Sequence, residues 1–93
     1  MASYKGWRCA YCDTVMDGKG GKAPTRDHVI PKAKGGTSDR ANILIVCRSC
    51  NGDKGCMSLE MFVRVLQFQR DSRAERVAAI AAQRSTPATV AAE

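Results

Sequence analysis

Aromatic side chains are scarce in this 93-residue chain: Trp7, Tyr4, Tyr11, Phe62 and Phe68 make up 5% of it. A core that thin seldom supplies more than roughly 3–5 kcal/mol at this length, so the fold needs a staple or a partner. Histidine is scarcer still: His28 stands alone, and any imidazole chemistry rests on it. No run of 18 apolar residues occurs, which excludes a membrane-spanning helix. The opening Met1-Ala2-Ser3-Tyr4-Lys5-Gly6 lacks the apolar core of a secretory signal. The expectation is therefore a reducing compartment, where disulfides are rare. Acidic residues are in deficit, 9 against 15 Lys plus Arg, for a net charge of +6. That imbalance points to an anionic partner, nucleic acid ahead of an acidic membrane surface, with plain solubility as the simpler alternative. The length allows one small domain.

Cysteine, by contrast, is plentiful. Cys9-Ala10-Tyr11-Cys12 and Cys47-Arg48-Ser49-Cys50 are two matched pairs separated by residues 13–46, and Cys56 is left over with no role assigned. A Cys-x-x-Cys loop points both sulfurs at one spot, and two such loops offer zinc a tetrahedron of thiolates with Zn–S bonds of ~2.3 Å. The gap is longer than the usual ribbon spacing of ~15–20 residues, so the intervening segment must carry structure of its own. Two disulfides, or a redox dithiol, are the competing readings. The first suits an oxidising compartment, and the second leaves one pair without a task. A structural zinc, with a binding free energy on the order of 10–16 kcal/mol, would compensate for the thin core.

Between the pairs, residues 13–26 have loop composition, including Asp17-Gly18-Lys19-Gly20-Gly21-Lys22. Asp27-His28-Val29-Ile30, closed by Pro31, and Ile43-Leu44-Ile45-Val46 read as strands forming a splayed hairpin. A short helical turn is expected from Ser49 to Gly55, with Gly55 as its cap. From Ser58, an N-cap candidate, Leu59, Phe62, Val63 and Leu66 make an apolar stripe at i, i+3, i+4, i+7. Ser72-Arg73-Ala74-Glu75 reads as a capping box where a second helix restarts and runs to about Gln83, though one unbroken helix from 58 to 83 also fits.

A lone histidine usually packs. His28, however, begins a strand, follows the carboxylate of Asp27 and is separated by a Gly35-Gly36 loop from Asn42. Asn51 directly follows Cys50, so a metal there would fix its backbone, and Lys54 lies three residues on, along the same helical face. The string Asp27-His28-Val29-Ile30-Pro31, Gly35-Gly36, Asp39-x-x-Asn42-Ile43, Cys47-Arg48-Ser49-Cys50-Asn51-x-x-Lys54-Gly55, with Cys9-x-x-Cys12 ahead of it, resembles the HNH nuclease family, the ββα-metal nucleases. The resemblance covers residues 9–55, about half of the chain.

It implies a small α+β protein: the ββα-metal (His-Me finger) fold stapled by a four-cysteine zinc site on Cys9, Cys12, Cys47 and Cys50, with a C-terminal helical extension. The expected organisation is a nuclease domain over 4–70, a helical extension over 71–84 and a disordered tail over 85–93. By the resemblance, His28 is the general base that activates water, Asp27 and Asn51 hold one catalytic divalent metal, and Asn42 braces the loop that orients the histidine. The third letter of the family name is here Asn51 rather than a histidine. A carboxylate with an amide oxygen is a hard donor set that favours Mg²⁺ or Mn²⁺.

Adjacent strand residues point to opposite faces, so a bulge or twist must bring Asp27 and His28 to one cation. Lys32, Lys34, Arg40, Arg48 and Lys54 surround the motif and are expected to contact DNA phosphates, giving salt-dependent binding with weak sequence preference. The expected activity is phosphodiester hydrolysis in DNA. The alternative is a non-catalytic zinc-binding module that docks on nucleic acid. Four paired cysteines and one histidine are too few for a two-zinc RING or LIM finger. Trp7 is expected to pack over the zinc site. The C-terminal helices are a candidate surface for a larger protein partner or a homodimer. The compact form of the motif resembles free-standing members from a phage or bacterial setting, implying the cytoplasm of a bacterial cell or a phage-infected one.

Overall fold

The computed structural model describes residues 4–91, and side chains as far as Gln83. Two antiparallel strands, β1 (Pro24–His28) and β2 (Ile43–Cys47), are followed by three helices, α1 (Arg48–Lys54), α2 (Leu59–Phe68) and α3 (Ala74–Ala91). The register runs from Pro24 opposite Cys47 to His28 opposite Ile43. Ahead of the sheet, residues 4–17 fold into a small knuckle closed by a bridge between Arg8 and Val15, with Asp13 in the left-handed region at φ 64°.

β1 begins earlier than the sequence pattern implies, at Pro24 rather than Asp27, and ends at His28 because Asn42 takes over where the ladder stops. The Val29 N–H donates to the Asn42 carbonyl at 2.9 Å. The Ile30 N–H then donates to the Asn42 side-chain oxygen at 2.8 Å. Pro24 is accommodated as the first residue of a strand, where its missing donor costs least.

α1 matches the expected turn, with Gly55 capping it at φ 55°. α2 also matches: the Ser58 hydroxyl accepts the Met61 N–H at 3.2 Å, and Leu59, Phe62 and Leu66 are buried. The chain then breaks at Arg70, whose φ is 55°. Asp71, rather than Ser72, supplies the carboxylate that accepts the Arg73 N–H at 2.9 Å as the next helix begins.

α3 continues to Ala91. Residues 85–91, expected as disordered tail, are therefore helical, while 92 and 93 lie outside the described residues. Ala78, Ala79, Ala81 and Ala82 give the first half of α3 a strongly helix-forming composition, and the helix extends past Pro87.

The core gathers Tyr11 and Met16 from the knuckle, Val29 and Val46 from the hairpin, Leu59, Phe62 and Leu66 from α2 and Val77 from α3. Tyr11 and Phe62 meet edge-on with ring centroids 5.6 Å apart. Trp7, expected to pack over the cysteines, is instead 53% exposed and stacks edge-on against Tyr4. No helix among the described residues is long and apolar enough to cross a membrane.

Candidate active site and metal centre

The four paired cysteines converge. Cys9 and Cys12 come from the knuckle, Cys47 ends β2 and Cys50 sits in the first turn of α1, and their sulfurs all lie within 4.8 Å of one another. Cys12 Sγ and Cys47 Sγ are 3.9 Å apart. Ligands of a tetrahedral ion with ~2.3 Å bonds are separated by about 3.8 Å, so both the size and the softness of this cage fit zinc. The Tyr11 and Cys12 amides donate to Cys9 Sγ at 3.4 and 3.5 Å, which favours a thiolate there.

A hydrogen bond from the Cys50 thiol draws Cys9 down to about 4, against the effect of burial. The same bond, together with burial, pushes Cys50 up, and burial pushes Cys47 up. A divalent cation on the four sulfurs would take the place of their protons. Cys56 is exposed and stands apart from the cage.

Arg73, which the sequence pattern alone does not single out, fastens the α2–α3 connection to this cage. Its Nη1 donates to Cys50 Sγ at 3.3 Å and to Asp53 Oδ2 at 3.0 Å. Its Nε and Nη2 hold the Asp71 carboxylate at 2.8 and 2.7 Å. The guanidinium also lies over the Phe62 ring, 5.8 Å from its centroid. These donors hold Asp71 down at about 2, and the carboxylate in turn raises Arg73.

Next to the cage, the inner face of β1 meets α1. Strand alternation puts Thr25 and Asp27 on that face, and Asn51 and Lys54, one helical turn apart, answer them. Asn51 Nδ2 donates to Thr25 Oγ1 at 3.0 Å. Lys54 Nζ lies 3.4 Å from Asp27 Oδ2. The Tyr11 hydroxyl donates to the same Oδ2 at 2.6 Å, so the Asp27 carboxylate is gripped from both the knuckle and α1. Asp27 and Asn51 thus both face the contact between β1 and α1, Asp27 buried and held by Lys54 and Tyr11, Asn51 held by Thr25.

His28 leaves β1 on the opposite face: the register runs unbroken from Pro24 to His28, so the bulge expected to bring it to the same cation as Asp27 is absent from this strand. It is half-buried, with Nε2 3.2 Å from the Ser38 hydroxyl. Its backbone carbonyl, however, points inward and accepts from Lys54 Nζ at 3.1 Å.

Asn42 is buried and spans the hairpin loop: its amide donates to the Ile30 carbonyl at 3.1 Å and to the Thr37 carbonyl at 2.7 Å. The Gly35-Gly36 pair has a steric cause. Gly35 turns through φ 91°, and a Cβ on Gly36 would lie 1.6 Å from the Ile30 carbonyl oxygen. Beyond Asn42 a cleft of about 520 Å³ opens between the loop and the start of α2, and Asp27, His28 and Asn51 are not among its lining residues.

Of the five basic residues expected on DNA, Lys32, Lys34, Arg40 and Arg48 are exposed. Lys54 is a correction: its side chain is fully buried against Asp27 and the His28 carbonyl, so its charge is spent inside the protein. Breaking such a pair strands a buried carboxylate at a cost of about 3–5 kcal/mol. Lys54→Ala should lower the melting temperature of the zinc-loaded protein by ten degrees or more, at about 4–8 °C per kcal/mol. The Asp27→Asn/Lys54→Met double variant should recover most of that loss. A melt of Lys54→Ala within about 2 °C of wild type would contradict the buried pair.

Residues 9–67 match the family model for the HNH endonuclease. That match exceeds half of the chain, and the chain belongs to the HNH endonuclease family. No curated protein and no solved structure matches it. Membership brings nuclease-type function at the level of the family, whose members act on DNA.

Proposed function

We propose that this protein is a metal-dependent DNA endonuclease. His28 is its general base, Asp27 and Asn51 hold one Mg²⁺ or Mn²⁺, and zinc on the four cysteines keeps the fold together. The observation that carries the reading is the contact of β1 with α1, which engages both Asp27, through Lys54, and Asn51, through Thr25, directly after the cage cysteine Cys50. A divalent cation held by Asp27 and Asn51 would supply charge neutralisation for a phosphodiester and its leaving oxygen.

The chain's own groups prepare the site for that task. Lys54 holds the Asp27 carboxylate in place from α1. Tyr11 fixes one carboxylate oxygen, which leaves Oδ1 as the oxygen for the cation. A neutral imidazole at His28 takes a proton from water, and its place at the exit of β1, half-exposed beside Ser38, gives water access to the ring. Asn42 locks the loop that follows His28. Exposed Lys32, Lys34, Arg40 and Arg48 hold the DNA backbone without reading its bases. The expected setting is the cytoplasm of a bacterial or phage-infected cell.

The test is supercoiled plasmid incubated with zinc-loaded protein and, in turn, no added metal, Mg²⁺ and Mn²⁺. Nicked circles should form only with the divalent metal. A salt-sensitive gel shift with intact plasmid under every metal would favour the non-catalytic nucleic-acid-binding module instead.

A further inference from the structure

An asparagine side chain offers a cation its oxygen only if its NH₂ group is turned elsewhere, and the two ends of the amide have nearly the same shape. Here the hydrogen bonds of one neighbour decide the orientation. Thr25 has a single hydroxyl proton. Its Oγ1 lies 2.8 Å from the carbonyl oxygen of Val46, the residue opposite it in the sheet, and that carbonyl can only accept. The proton therefore goes to Val46. What remains on Oγ1 is lone pairs, and the group 3.0 Å away on Asn51 must be a donor, Nδ2. With the amide reversed, Thr25 Oγ1 would face either two acceptors with one proton or a bare oxygen–oxygen contact.

We infer that Thr25 is a positioning residue: it fixes the Asn51 amide so that its oxygen, not its nitrogen, faces the cation. This rests on the proposed role of Asn51 as a metal ligand. Thr25 touches neither the metal nor the substrate. Its effect passes from the β2 backbone through one hydroxyl to one amide. Partners of this kind, one step removed from a metal, typically change metal affinity by about 10–100-fold.

The experiment measures Mn²⁺ binding to zinc-loaded full-length protein through the electron paramagnetic resonance signal of free Mn²⁺. Plasmid nicking is followed across Mn²⁺ concentrations in parallel. Thr25→Val keeps the β-branched shape and removes the hydroxyl. It should weaken Mn²⁺ binding about tenfold and shift the Mn²⁺ requirement for nicking by a similar factor, with zinc content retained. Thr25→Ser, which keeps the hydroxyl, should bind as wild type does. In an Asn51→Ala background, Thr25→Val should cause no further loss, an outcome that mere damage to the strand would not produce. Wild-type Mn²⁺ affinity in Thr25→Val, or an equal loss in both backgrounds, overturns the inference while Asn51 stands as a ligand. Undiminished Mn²⁺ binding in Asn51→Ala alone overturns the ligand assignment, and the role of Thr25 falls with it.

Discussion

His28→Ala protein should bind plasmid and fold as wild type does, yet nick about 10²–10⁴-fold more slowly at saturating Mg²⁺ or Mn²⁺, the usual contribution of a general base. The substitution is clean for structural reasons. The part of His28 that holds the fold together is its backbone: the carbonyl receives Lys54 Nζ, and the residue pairs with Ile43 across the sheet. Alanine retains both. The imidazole is half-buried and meets the Ser38 hydroxyl, so its loss opens no cavity in the core. Nicking rates measured beside thermal melts and zinc content separate chemistry from folding. Full activity in folded His28→Ala would remove the general-base assignment, since no second histidine exists to take over.

Cys47→Ser should lose the cooperative fold altogether. Cys47 is buried, ends β2 and immediately precedes α1, so its sulfur sits at the junction that sets the helix against the sheet. A hydroxyl is a poor ligand for zinc beside three thiolates. Structural zinc contributes on the order of 10–16 kcal/mol in small modules, as much as the whole stability of an ordinary domain at about 5–15 kcal/mol. Circular dichroism should show collapsed helix content and no sharp melt, and a strong chelator should bring the wild-type protein to the same state. A near-native spectrum and melting temperature in Cys47→Ser would mean that the cage does not staple the fold.

The features that showed in the sequence were those whose cause is local. The stripe from Leu59 to Leu66 and the Ser58 cap follow from helical spacing, and the two Cys-x-x-Cys loops announce themselves by their own geometry. The paired glycines also marked a loop, although only the structure shows that the Ile30 carbonyl forbids a side chain at Gly36. What stayed hidden depends on contacts between distant residues. Lys54 reads as a surface cation beside a basic motif, and its burial depends on a carboxylate at the far end of the hairpin, Asp27. Tyr11 reads as filler between two cysteines, yet its hydroxyl holds Asp27. Thr25 lies in a stretch of loop composition, and nothing local indicates that it sits opposite Val46 and against Asn51. β1 ended earlier than the pattern implied because the Asn42 side chain takes the Ile30 N–H in place of a backbone rung, which hydropathy patterns do not register.

Arg73 carries a consequence for where this molecule stops being one object. The family match ends at residue 67, within α2. Yet the guanidinium on Cys50 and the wholly enclosed Val77 belong to the same interior as the cysteine knuckle. Trimming a recombinant version to the matched motif would uncover Phe62 and deprive a sulfur of its cationic neighbour. The smallest autonomous fragment is therefore expected to reach into α3, the one helix that follows the match among the described residues, with that helix part of the chassis rather than an appendage.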